Sequence, residues 1–223
     1  METSNEQRNR RIDDYIEGLF IPPDGALQEG LNAAEAAALP SINVSPNEGK
    51  LLHLIARIAG AKRVLEIGTL GGYSTIWLAR ALPPGGRVIT LELDPKHAEV
   101  ARANLQRAGV ADRVEIRVGR AADSMKQLIA AGASPFDLIF IDADKPGYAE
   151  YLELALQLAR KGTVILADNL IRNGGVTEEK PPDENARAVR LFNAALAAHP
   201  RLDSIILPII RTTIDGLSIS IVK

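Results

Sequence analysis

Cysteine is absent from the 223 residues, which excludes disulfides, thiolate metal sites and a cysteine nucleophile. Histidine is almost absent as well. His53, His97 and His199 are too scattered for a zinc-ligand spacing, so any metal must be held by oxygen. Neither sign of charge dominates, since 26 basic against 28 acidic side chains leave a formal net charge of −2. That balance gives no general reason to bind nucleic acid or an anionic membrane, although a local basic patch stays open. No apolar run is long enough to span a bilayer, and the opening "METSNEQRNRRIDDYIEGLF" lacks an apolar core of the signal-peptide kind. The expectation is a cytoplasmic protein with no membrane partner.

What is present is ordinary globular material, 46% hydrophobic and 24% charged, at a length that suits one core. One domain over residues 1–223 is therefore expected, with N-terminal helices in 1–60 and an α/β core in 61–223. From Arg63 onward, β-branched runs alternate with helical patterns: "RVLEI", "RVITLE", "RVEIRV", "FDLIFID", "GTVILAD", then "LDSIIL" and "GLSISIV". This alternation predicts a three-layer αβα sandwich around a mostly parallel seven-stranded sheet. The last two runs have no helix between them, which makes them an antiparallel pair at the sheet edge and the last strand antiparallel. Ahead of the sheet, helices are expected over 9–20, over 25–38, and from "SPNE", where Ser45, Pro46 and Glu48 form a capping box. Leu51, Leu52, Ile55 and Ile58 make that helix's expected buried stripe. Asp94 before Pro95 caps a later helix that Gly109 closes. The segment 169–183 reads as one long loop.

Two features carry chemistry. "VLEIGTLGGYSTIWLA" is strand, glycine turn and helix, which in an open α/β sheet makes a ligand crevice at the strand's carboxyl end. Its glycines, Gly68, Gly71 and Gly72, do not have the spacing of dinucleotide enzymes. Glu66, just before the turn, would repel a diphosphate but suits the ammonium of an amino-acid-like ligand. Glu92 ends the next strand, where such sheets place the acid that accepts ribose hydroxyls. The competing structural reading has Glu66 satisfied by a backbone amide and Glu92 capping the next turn.

The second feature is a pair of strands ending in acid, "IDADK" and "LADN". If these strands are neighbours, Asp142, Asp168 and Asn169 converge, and three oxygens facing one point suit a hard cation such as Mg²⁺. Capping explains neither Asp142 nor Asp144 well, because a helix opening at Pro146 puts Lys145 at the cap position. Lys145 alone reads as a solvated surface lysine; beside a divalent cation its pKa should fall, and it becomes a candidate general base.

With both features in view the chain resembles the class I S-adenosylmethionine-dependent methyltransferases. Through "IDADKPGY", "ADNLIRNGG", "VLEIGTLGGYS" and "INVSPNEG" it resembles their cation-dependent O-methyltransferases, the catechol and caffeoyl-CoA type, over nearly its whole length. The resemblance implies a Rossmann-like fold and usually a homodimer. It implies Asp142, Asp168 and Asn169 as ligands of Mg²⁺ or another divalent cation, and Lys145 as the catalytic base. It puts Val44, Glu66, Gly68, Thr69, Ser74, Glu92, Ala121, Asp142 and Asp144 at the S-adenosylmethionine site and Asn173 at a substrate contact. The N-terminal helices help shape the acceptor pocket in such enzymes. The chain departs from them in "LPIIRTTIDG", where similar proteins often read L-P-x-G-D-G.

The reaction expected on this basis is metal-assisted methyl transfer to a catechol-type or hydroxycinnamoyl-type phenol. Two alternatives stand beside it: a tRNA hydroxyuridine O-methyltransferase, favoured if Arg8, Arg10, Arg11 and Arg172 form a cationic face, and a nucleoside-binding module without turnover.

Overall fold

The computed structural model describes residues 4–210 and 213–223. Three helices lead the chain: α1 (Ser4–Phe20), α2 (Gly25–Ala36) and α3 (Pro46–Ile58). α1 begins earlier than expected, since nothing in "SNEQRN" breaks a helix. α2 starts where the Asp24 side chain accepts the Leu27 N–H, and α3 starts on the complete Ser45–Glu48 capping box. The buried stripe of α3 differs from expectation: Leu52 is buried with Gly49 and Ala56, Leu51 and Ile55 are half-buried, and Ile58 is 85% exposed. The cause is Trp77, whose indole nitrogen lies so near Gly49 that a Cβ there would be 2.3 Å away. The helix docks through its smallest residues, which turns Ile58 outward.

Strands and helices then alternate as β1 (Arg63–Ile67), α4 (Tyr73–Ala81), β2 (Arg87–Glu92), α5 (Pro95–Arg107), β3 (Val114–Val118), α6 (Ala121–Ala130), β4 (Phe136–Ile141), α7 (Tyr148–Gln157), β5 (Ala159–Ala167), α8 (Glu184–Ala198), β6 (Leu202–Ile210) and β7 (Ile214–Val222). They build one seven-stranded sheet in the order β3-β2-β1-β4-β5-β7-β6. Strands β1 to β5 pair in parallel, and β7 runs antiparallel to both its neighbours, inserted between β5 and the edge strand β6. The expected architecture is therefore present.

Alternation along each strand sends apolar side chains to both faces. On one face Leu65, Ile67 and Ile139 pack with Met125, Tyr148 and Phe192 from α6, α7 and α8; on the other Val64, Leu138 and Phe140 pack with Leu52, Trp77 and Leu105 from α3, α4 and α5. The chain leaves β1 toward β2 and β3 on one side and returns to β4 and β5 on the other, so a crevice opens at the carboxyl ends of β1 and β4.

At that crevice β1 and β4 pinch together. The Asp142 N–H donates to the Ile67 carbonyl at 2.8 Å, and a Cβ on Gly68, whose φ is 99°, would lie 1.9 Å from the Asp142 carbonyl oxygen. Gly109, at φ 68°, has nothing within 4 Å of the same position. Gly68→Ala is thus expected to combine strain with overpacking and cost at least about 2 kcal/mol. Gly109→Ala should cost about 1 kcal/mol from strain alone. Urea unfolding of the two variants checks this; equal losses would show that the pinch can relax.

Candidate active site

A cavity of about 750 Å³ occupies the crevice. Its floor is the row of strand ends, and α2 closes it with Leu27, Gly30, Leu31 and Ala34. Val44, Gly68, Thr69, Ser74, Glu92, Ala121, Asp142, Asp144, Lys145 and Asn169 all line it, so the fold assembles ten of the residues singled out in the sequence. Glu66, Asp168 and Asn173 are not on its wall.

In place of contact with a ligand ammonium, Glu66 lies fully buried beneath the glycine turn. Its carboxylate accepts the Ser74 hydroxyl at 2.7 Å and the Thr75 hydroxyl at 2.5 Å. Burial pushes this carboxyl up to about 7, against the pull of the hydroxyls of Thr75, Ser74 and Thr90. It reaches the cavity only through Ser74. Glu92, by contrast, is on the wall and holds the turn at the same time. One oxygen accepts the N–H groups of Thr69 (3.1 Å) and Leu70 (2.8 Å); the other accepts the Asp94 N–H (2.9 Å), with His97 Nδ1 at 3.4 Å. The two readings of Glu92, ligand contact and local anchor, are thus compatible in geometry. Leu70 has φ 50°, a strained value for a leucine, and the charged acceptor helps to stabilise it.

Lys145 is not a solvated surface lysine. It is 8% exposed, with Nζ 2.5 Å from Tyr148 Oη and 3.2 Å from Asp142 Oδ1. Tyr148 is completely buried, which raises its phenol well above the ordinary value and keeps it neutral. The hydroxyl therefore accepts from Lys145 while donating to the carbonyl of Asp168 at 3.0 Å. The start of the following helix also differs from expectation. A 3₁₀ turn over Lys145–Gly147 comes first and puts Asp144 at the cap position, with α7 beginning at Tyr148. The Asp144 carboxylate still caps nothing; it accepts the Tyr151 hydroxyl at 2.6 Å. The Tyr151 ring lies across Gly147, where a Cβ would come within 2.6 Å of it.

β4 and β5 are neighbours, and Asp142 and Asp168 each stand one position past the last registered pair, Ile141 with Ala167. Asp168 is 2% exposed, and its Oδ1 accepts the Asn169 N–H at 2.7 Å. Asn169 takes a left-handed backbone, φ 61°, which asparagine tolerates well. Among the described residues no group of three or more His, Cys, Asp or Glu side chains gathers around one point, so a cation here needs the Asn169 amide as well. Two carboxylates and an amide are hard oxygen donors, and the Lys145 ammonium beside Asp142 shows that positive charge is accommodated there. The residues fit a Mg²⁺-type ion.

The segment after β5 is more ordered than a long loop. Residues 172–177 are tightly turned and kinked at Asn173 (φ 51°) and Gly174 (φ 86°), and one Asp215 oxygen accepts the N–H groups of Ile171 (3.0 Å), Arg172 (3.0 Å) and Gly216 (2.9 Å). Arg172 lines the cavity, whereas Asn173 is exposed off its wall. Arg211 and Thr212 of the departing "RTT" lie outside the described residues. Sequence reasoning passed over Tyr148, Tyr151, His97 and Asn104. The tyrosines follow Lys145 at three-residue steps, and His97 follows the cap Asp94 by three, which is the signal that could have found them. Asn104, 1% exposed, donates to the carbonyls of Gly30 (3.1 Å) and Gly71 (2.9 Å) and so ties α2 to the glycine turn.

Residues 24–220 match the O-methyltransferase family model. A catechol O-methyltransferase of Niastella koreensis is 50% identical over 220 residues, covering 98% of this chain and 100% of the relative. A catechol O-methyltransferase of Mycobacterium tuberculosis is 49% identical over 213 residues, covering 95% of both. Among solved structures, an O-methyltransferase from Bacillus cereus in complex with SAH superposes with a TM-score of 0.95 at 46% identity, covering 98% of this chain and 100% of that one.

The raised carboxyl of Glu66 has a measurable signature. Folding favours its protonated form, so its contribution to stability is fully present below the ordinary value of 4.5 and is lost as pH rises through about 7. Glu66→Gln cannot ionise. Its melting temperature relative to wild type is expected to rise between pH 5 and pH 8, by the equivalent of about 2 kcal/mol. A difference that does not change with pH would mean that Glu66 ionises in the fold without cost.

Proposed function

We propose that this chain, which belongs to the O-methyltransferase family, transfers a methyl group from S-adenosylmethionine to one hydroxyl of a small catechol-type or hydroxycinnamoyl-type phenol, using a divalent cation such as Mg²⁺. The observation that carries the reading is the buried Lys145, held by Asp142 and Tyr148 at the edge of the cavity. The catechol activity named for the two curated relatives supports the acceptor class.

In this reading the donor lies over the glycine turn. Val44, Gly68, Thr69, Ser74, Ala121 and Asp144 flank it, Glu66 acts through Ser74, and Glu92 accepts its ribose hydroxyls. Asp142, Asp168 and Asn169 would hold a divalent cation, which would supply Lewis acidity toward the acceptor hydroxyl. Lys145 takes the proton of the hydroxyl that receives the methyl group, and Tyr148 and Asp142 hold its amine in place. α2 keeps water from the reacting groups.

We read residues 1–60 as a cap on a single methyltransferase domain. We read the assembly as a homodimer, because Tyr15, Leu19 and Phe20 of α1 and Leu54 and Ile58 of α3 leave apolar surface in water. The tRNA reading has less support. Arg8, Arg10 and Arg11 share α1 with Glu6, Asp13, Asp14 and Glu17, and Arg172 belongs to the cavity wall, so these residues do not add up to a basic face.

Two experiments test the reading. With caffeate and coumarate as matched acceptors at saturating Mg²⁺, kcat/KM should favour the catechol by at least about a hundredfold. EDTA should abolish turnover while calorimetry shows donor binding intact, and Asp168→Ala should behave like EDTA. Full activity after exhaustive chelation, or turnover of hydroxylated tRNA with neither phenol active, would retire the proposal. In the second, Lys145→Met should lower kcat by about 10² to 10⁴-fold with unchanged donor affinity. A loss within about twofold would remove Lys145 from the chemistry.

A further inference from the structure

Arg172 has no place in the reaction as described, yet the fold brings it to the cavity wall. It is half-buried, its backbone is left-handed at φ 52°, and the Asp215 carboxylate holds its N–H at 3.0 Å. A non-glycine residue kept in that conformation by a specific partner points to function. The other basic side chains on the wall have acidic neighbours: Lys145 meets Asp142 at 3.2 Å, the His97 ring lies 3.4 Å from Glu92 and Arg120 meets Asp123 at 3.8 Å. The Arg172 guanidinium makes no hydrogen bond or ion pair with any described residue. Asp215, which holds its backbone, is already engaged by three backbone amides.

Its position in the cavity follows from the sheet. Glu92 ends β2 and His97 follows in the first turn of α5, whereas Arg172 follows β5 with Asn169, on the far side of β1 and β4 in the order β2-β1-β4-β5. Arg172 therefore borders the side away from the donor, next to the oxygens assigned to the cation. A guanidinium offers five N–H donors in a planar fork that matches a carboxylate in two parallel bonds.

We infer that Arg172 selects acceptors that carry a carboxylate, pairing with it while the two phenolic oxygens lie at Asp142, Asp168 and Asn169; this rests on the phenol methyltransferase reading above. The substrate class is then a catechol acid, in preference to a neutral ester or a catechol amine. An exposed ion pair would contribute little, but a bidentate one formed with a half-buried guanidinium on the cavity wall is partly desolvated, which gives roughly a tenfold gain in affinity.

The test uses calorimetry on the protein loaded with Mg²⁺ and S-adenosylhomocysteine, with caffeate and methyl caffeate as probes, since both present the same two phenolic oxygens. Wild type should bind caffeate at least about tenfold more tightly than the ester. Arg172→Gln should erase that difference through caffeate alone, leaving the affinities for the ester and for S-adenosylhomocysteine unchanged, which also reports an intact fold. Arg172→Lys should retain part of the preference, because charge remains without the fork. Equal binding of acid and ester by wild type, or an equal loss of both in Arg172→Gln, overturns the inference while leaving the phenol reading standing. Binding of neither probe by wild type overturns both.

Discussion

The contact between Gly68 and the Asp142 carbonyl is the constraint on which the site depends. It joins the end of β1 to the end of β4 with no space for a side chain, which fixes the glycine turn against the acidic strand end. Neighbouring strands are spaced by about 4.8 Å, which puts Glu92 on β2 and Asp168 after β5 about 14 Å apart across the sheet. That is the scale of a nucleoside with an amino-acid arm. Between them the groups assigned to donor, proton and cation follow in the order in which the chemistry needs them.

A second regularity is that carboxylates stabilise unusual backbone at the rim. Glu92 collects the amides around left-handed Leu70, and Asp215 collects those around left-handed Arg172. Each such conformation costs about 1–3 kcal/mol, and a hydrogen bond to a charged acceptor returns about 1.5–3 kcal/mol. The two terms are of one size, so the rim keeps its shape without a bound ligand. Tyr148 does similar work with a neutral group, since one hydroxyl fixes both the amine of Lys145 and the backbone of Asp168.

Local chemistry made much of this legible in advance. The Ser45–Glu48 box, the Asp94–Pro95 cap and the alternation of β-branched runs are short-range signals, and the structure keeps all of them. That Asp142 and Asp168 end neighbouring strands was readable because consecutive parallel strands tend to be neighbours. The failures lie where a distant side chain decides the outcome. Ile58 fits its helical stripe, but Trp77 rotates the docking face; Glu66 has the charge for a ligand contact, but Ser74 and Thr75 cover it. No local pattern distinguishes Asn173 from Arg172. Which of them reaches the cavity depends on two successive left-handed residues, the first of them clasped by an acid on β7.

That clasp also bears on how the molecule is made. Ile171 and Arg172 are anchored by an aspartate 44 and 43 positions further along the chain, on the strand that enters the sheet between β5 and β6. During synthesis the five parallel strands and the glycine turn emerge before β7 does. A nascent chain can therefore shape the half of the cavity around β1 and β2 while the opposite wall still lacks its anchor. Maturation then has a direction: the half around β1 and β2 can take shape first, and the wall that carries Arg172 is the last to gain its anchor.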